Sequence, residues 1–130
     1  SYNAGEDEDS LIDSTDLIDL RGKTSLIQLA GACKQARAVV SVDAGPLHIA
    51  AAVGTPTLGI VGNDQEDIGA SPARLWMPRC NNFERTMSPV TCSKCADNRF
   101  RNDECLVEDH PCMAAISPSE VIHWLEIQLA

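Results

Sequence analysis

Aromatic residues make up only 4% of this 130-residue chain, so any core it builds must be largely aliphatic. No apolar run approaches the roughly 20 residues that a transmembrane helix requires. No signal-peptide pattern opens the chain. Basic residues are absent from the first twenty positions, which carry Glu6, Asp7, Glu8, Asp9, Asp13, Asp16 and Asp19 for a local charge of −7. The other 110 residues hold 10 basic and 12 acidic side chains, so the overall −9 resides mostly in one short stretch. With no basic stripe anywhere, nucleic acid is not an expected partner. The acidic stretch, residues 1–15, reads as a solvated tail or linker. An expression scar is the alternative for its first ten residues. No internal repeat is visible.

Apolar residues reach 44%, enough for a core, and the length suits one domain at most. The most informative segment is Val39–Gly62. Ala38–Val42 reads as a strand, with three valines in five residues. Asp43-Ala44-Gly45 is a turn. Pro46 suits a first helical position, where its missing N–H is not needed. Leu47–Val53 reads as two helical turns, Gly54 as their stop, and Pro56–Val61 as a second strand. So short a βαβ unit, without polar alternation, implies parallel strands covered on both faces. Upstream, Thr24 or Ser25 caps a helix running to about Ala36, with Leu26, Ile27, Leu29, Ala30 and Cys33 at helical spacing. Leu17-Ile18 suggests a short strand before it, and Arg21-Gly22-Lys23 a turn. Downstream, Ser117-Pro118-Ser119-Glu120 has the pattern of a capping box at the head of a mostly apolar helix. That helix would pack on the sheet or on a missing domain.

The Asp43–His48 turn has the makings of an anion site. Glycine lets the backbone approach a ligand without a Cβ in the way. Pro46 fixes the helix start, and the free amides near Gly45, Leu47 and His48 can face phosphate, aided by the helix dipole. His48 can donate to a phosphate or sugar oxygen, while Asp43 can accept the turn's amides or orient His48. The plainer reading is that Asp43 caps the helix and His48 is an ordinary polar residue. In open α/β sheets, ligands bind at this carboxyl end of the strands.

Between Gly62 and Met113 periodicity fades, and about 50 structureless residues in a compact domain call for a staple. Six cysteines supply a candidate. Cys33 fits a small buried hydrophobe. Cys92-x2-Cys95 with Cys105 and Cys112 offers four sulfurs suited to tetrahedral zinc or iron. Cys80 is a spare ligand and His110 a weaker substitute. Disulfides and free thiols are the other readings, and the first requires an oxidising compartment.

The run from Asp43 to Pro56 resembles the D-S/T-G-P-x-H-x-A-A-A-x-G-T-P signature of glycosyltransferase family 9, the heptosyltransferases and their relatives. Asp19-Leu20-Arg21-Gly22-Lys23-Thr24-Ser25-Leu26 with Leu29-Ala30 is similar to that family's D-L-x-G-K-T-S-L-x-x-L-A. The Cys92, Cys95, Cys105 and Cys112 set followed by Ile116-Ser117-Pro118-Ser119-Glu120-Val121 resembles its cysteine cluster and closing I-x-P-x-E-V. The resemblance implies an α/β, Rossmann-like partial domain spanning residues 16–130. It corresponds to the later part of the donor-binding half of a GT-B enzyme, with the cysteine-rich segment 80–112 inserted.

It further implies a nucleotide-sugar donor, of ADP type, whose diphosphate is lined by Asp43, Ala44, Gly45, Pro46, Leu47 and His48. The acceptor would be lipopolysaccharide or protein, and the catalytic base would come from an N-terminal acceptor domain outside this chain. The location would be the bacterial cytoplasm, compatible with peripheral attachment to the inner membrane. No catalytic residue of this chain is implied, and the chain alone is expected to be inactive. Two departures stand out. Ala44 replaces the usual Ser/Thr, and Gly62-Asn63-Asp64 replaces G-P-T. The expectation of a different class is a metal-stabilised interaction or oligomerisation module.

Overall fold

A computed structural model of the chain describes residues 17–62, 73–90, 92, 94 and 105–130. The acidic stretch 1–15 and Cys95 lie outside the described residues. The described elements are α1 (Leu26–Gln35), β1 (Val39–Val42), α2 (Gly45–Ala52), β2 (Thr57–Val61), α3 (Ala73–Trp76), β3 (Phe83–Met87), α4 (Pro111–Ala114) and α5 (Pro118–Leu129). Three strands form a parallel sheet in the order β1-β2-β3, as the βαβ reading requires, and the arrangement fits a Rossmann-like domain.

Local chemistry explains the element ends. Ser25 caps α1 with a reciprocal box: its hydroxyl accepts the Gln28 amide at 3.3 Å, and the Gln28 carboxamide accepts the Ser25 amide at 2.8 Å. α2 stops at Gly54, whose φ of +87° only glycine adopts without strain. The Gly54 amide donates to Ala51 O and the Thr55 amide to Ala50 O, the paired bonds of a Schellman ending. At α5, Ser117 caps through the Ser119 amide at 3.3 Å, but Glu120 does not close the expected box. Its carboxylate instead accepts the Thr86 hydroxyl at 3.2 Å, tying the helix to β3.

Strand alternation sorts the sheet into two faces. On one, a Cβ at Gly59 would sit 2.8 Å from Leu47 Cδ1 and 3.1 Å from the Phe83 ring, so α2 lies directly on β2. Thr57 and Val61 share that parity and are buried, as are Leu47, Ala50 and Ala51 of α2. α1 packs on α2 from outside, and the Thr55 hydroxyl donates to Cys33 O at 2.7 Å. The other face carries Leu58, Ile60, Glu84 and Thr86 by register. α5 covers its β3 side, where the Trp124 indole N–H donates to Glu84 Oε1 at 3.1 Å. Among the described residues, the buried apolar side chains are aliphatic apart from Cys33 and Trp124.

Four expectations require correction. Leu17-Ile18 is not a strand: both residues are irregular in backbone and exposed. β1 is an edge strand, and Val42 is 52% exposed rather than covered on both faces. Leu26 and Ile27 point outward at 72% and 85% exposure, and within α1 only Cys33 is buried. β3, inside the stretch read as structureless, is a full partner of β2. Its Phe-Glu-Arg-Thr-Met sequence lacks the branched run of a central strand because it lies at the other sheet edge. Among the described residues, no helix is long and apolar enough to cross a membrane.

Candidate functional site

The carboxyl end of β1 delivers the chain into the start of α2. Ala44 occupies the N-cap with an extended backbone, and no side chain bonds to the cap. Asp43 is therefore not the capping residue, in contrast to the plainer expectation. Pro46 lies in the first turn, as its sequence position implies, and the Leu47 amide turns back to Ala44 O at 3.1 Å. Residues 43–46 are all exposed, whereas Leu47 is fully buried. The buried Leu47 fixes the helix while the turn before it faces solvent. A Cβ built at Gly45 would meet nothing within 4 Å, so the space in front of this backbone is open.

His48 and Asp43 face each other across the turn, with Nε2 and Oδ1 3.8 Å apart. That is too long for a hydrogen bond but close enough for an ion pair once the imidazole is protonated. Both side chains remain partly exposed, so either can turn to a ligand. The six loop residues expected from the sequence are thus together in one turn.

β2 closes the second side of this end. Register pairs Val42 with Ile60 at the end of the β1–β2 ladder, and Gly62 follows β2 at the same end of the sheet. A Cβ on Gly62 would lie 2.9 Å from Met113 Sδ and 3.6 Å from Cys112 Sγ, so α4 sits on Gly62 at the same sheet end. In the sequence, Gly62 stands out only as the start of a departing triplet, and nothing singles out Met113. Their contact is tertiary and leaves no local signature.

The cysteines divide differently. Cys33 is buried, as expected. Cys80 precedes β3: its carbonyl accepts the Phe83 amide, next to Asn82 O, which accepts the Thr57 amide. Cys80 therefore lies at the amino end of the strands and Cys112 at the carboxyl end, about 16 Å apart at a strand rise of about 3.3 Å per residue. The Cys105 thiol donates to Val107 O at 3.2 Å. Among the described residues, Cys33, Cys80, Cys105 and Cys112 form no disulfide. Among the described residues, no three His, Cys, Asp or Glu side chains gather in a way that could hold a metal. The described residues thus do not by themselves assemble the expected staple.

The family model for glycosyltransferase family 9 (heptosyltransferase) matches residues 4–103, which includes the whole Asp43–His48 turn and the sheet. Cys105, Cys112 and α5 lie beyond the matched stretch. No curated protein and no solved structure matches the chain.

Proposed function

We propose, from the premise that this chain belongs to glycosyltransferase family 9, that it forms part of the donor-binding half of such an enzyme. The observation that carries the reading is the solvent-open start of α2, free of any side-chain cap, at the carboxyl end of a parallel strand. The donor is a nucleotide sugar of ADP type, and the group transferred is a heptose or a related sugar. The acceptor is a hydroxyl on lipopolysaccharide or protein. The diphosphate lies against the amides of Gly45 and its neighbours, which stabilise the negative charge that grows on the leaving nucleotide. His48 donates to a phosphate or sugar oxygen. Asp43 turns toward His48, since a carboxylate beside a diphosphate would be repelled. Ala44 gives up the hydroxyl contact that a Ser or Thr would supply, a loss of about 1 kcal/mol.

A base from an N-terminal acceptor domain deprotonates the acceptor hydroxyl, which displaces the nucleoside diphosphate in a single inverting step, so this chain alone does not catalyse transfer. Titration of ADP and an ADP-sugar into the 15N-labelled chain tests the reading. Shifts at the Gly45, Leu47 and His48 amides are expected. Millimolar ligand that leaves them unmoved overturns it.

Within the same reading, Cys92, Cys95, Cys105 and Cys112 hold one structural zinc or iron. Support comes from their spacing and from the general behaviour of thiolate sites, whose ligands come together only as the metal binds. Elemental analysis of the purified chain should find about one metal ion per chain. A metal-free chain with an unchanged fold would remove the staple from the proposal.

A further inference from the structure

We infer that Met113 is an oxidation site, and that peroxide converting its thioether to a sulfoxide releases α4 from the carboxyl end of β2. This holds whether or not the chain binds a nucleotide. The first observation is backbone strain. Asp109 and His110, directly ahead of α4, have φ of +65° and +44°, in the left-handed region that residues other than glycine rarely adopt. Two such residues in a row persist only where their surroundings hold them. Yet none of the four residues of α4 is buried, and Glu108, Asp109 and His110 are exposed. The segment is seated at Gly62, where Met113 Sδ and Cys112 Sγ lie 2.9 and 3.6 Å from the position a Cβ would take. Gly62 itself is held from the other side, its carbonyl accepting the Ser88 amide at 3.2 Å. Strain ahead of α4 thus works against a thioether contact on a fixed platform.

The thioether is the part of this balance that a reagent can change. Met113 is 41% exposed, whereas Met77 and Met87 are half-buried. Its sulfur gives an electron pair to one oxygen of hydrogen peroxide, the O–O bond breaks, and the second oxygen leaves as water. Sulfur is oxidised by two electrons and peroxide is reduced by the same two. The product is polar where the thioether was apolar, so it no longer suits the bare glycine surface. With that contact weakened, Asp109 and His110 relax to negative φ and α4 lifts, taking Cys112 with it.

The test treats the chain with hydrogen peroxide and then dithiothreitol, which returns sulfenic acids and disulfides to thiols and leaves the sulfoxide. Peptide mass spectrometry should find Met113 oxidised ahead of Met77 and Met87. The Ala114 and Ala115 amides donate to His110 O and Pro111 O. By NMR they should exchange about tenfold faster in the oxidised chain, the factor that the strain of one left-handed residue supplies. Thr57 should keep its rate. Met113→Leu should make α4 insensitive to peroxide, and Met113→Gln should loosen it with no oxidant present. Asp109→Gly, which removes strain from the seated state, should shrink the response to peroxide. If Met113→Gln unfolds, the oxidised wild-type chain still decides the matter. Oxidation of Met113 no sooner than the other methionines overturns the site. Unchanged exchange at Ala114 and Ala115 in the oxidised chain, or an equal response in Met113→Leu, overturns the release.

Discussion

Single residues divide into those that hold the turn and those left open to a ligand. Gly45 belongs to the second group. Its Cβ position is empty and its φ needs no glycine, so Gly45→Ala should change stability by no more than about 0.5 kcal/mol. The added methyl stands in the path of a phosphate, however. A hydrogen bond to a charged group is worth about 1.5–3 kcal/mol, so ADP binding measured by calorimetry should weaken about tenfold or more. Asp19 holds a separate turn ahead of α1. Its carboxylate accepts the Arg21 guanidinium at 3.1 Å and the Arg21 amide at 3.0 Å. The side-chain bond to Arg21, then the backbone bond, hold its pKa below the usual carboxylate value. A lowered folded-state pKa means the stabilisation is complete above the unfolded-state value and fades as pH falls through the folded one. Carboxyl 13C titration should show Arg21→Ala raising the Asp19 pKa only part of the way back, because the backbone donor survives. A full return, or none, would contradict that ordering of causes.

At the scale of elements, the β1-α2-β2 unit is legible in the sequence because each boundary has its own chemistry. Branched residues mark the strands, Pro46 the helix start and Gly54 the stop. The diphosphate turn is legible for the same reason. β3 is not: with Glu84 and Arg85 at its centre and an edge position, it satisfies neither a buried-run nor an alternation rule. Leu26 and Ile27 follow helical spacing yet face outward, because spacing defines a stripe but not what covers it. The Met113 contact is illegible for a different reason, since it joins residues fifty positions apart through an unpatterned segment. Asn82 is equally silent in sequence yet ties two elements together. Its amide donates to Ala51 O at 3.1 Å and Thr55 O at 2.9 Å, binding the end of α2 to the head of β3. Asn82→Ala should cost about 1–2 kcal/mol through the loss of these two bonds, although the Gly54 amide still donates to Ala51 O and the Thr57 hydroxyl to Thr55 O. Urea unfolding should show a lower midpoint with an unchanged slope. An unaltered midpoint would mean that water replaces the side chain without loss.

Across the whole molecule, the two ends of the sheet have different duties. At the amino end, Thr57 is fully buried, its amide donates to Asn82 O at 2.8 Å and its hydroxyl to Thr55 O at 2.7 Å, with Thr55 bonded in turn to Cys33. At the carboxyl end, residues 43–46 are exposed and Ala44 supplies no cap. α5 spans the arrangement from Glu120 on Thr86 to Leu129, whose carbonyl accepts Arg37 Nη2 at 2.7 Å. The consequence is a gradient in how often each part of the backbone opens to solvent. In deuterium exchange, the amides of Thr55 and Thr57 should be the last of the βαβ unit to label, and Gly45 among the first. ADP should slow labelling at Gly45 and leave Thr57 as it was. A helix anchored at its far end and loose at its near end can yield to a ligand locally, with the rest of the fold standing as its fixed abutment.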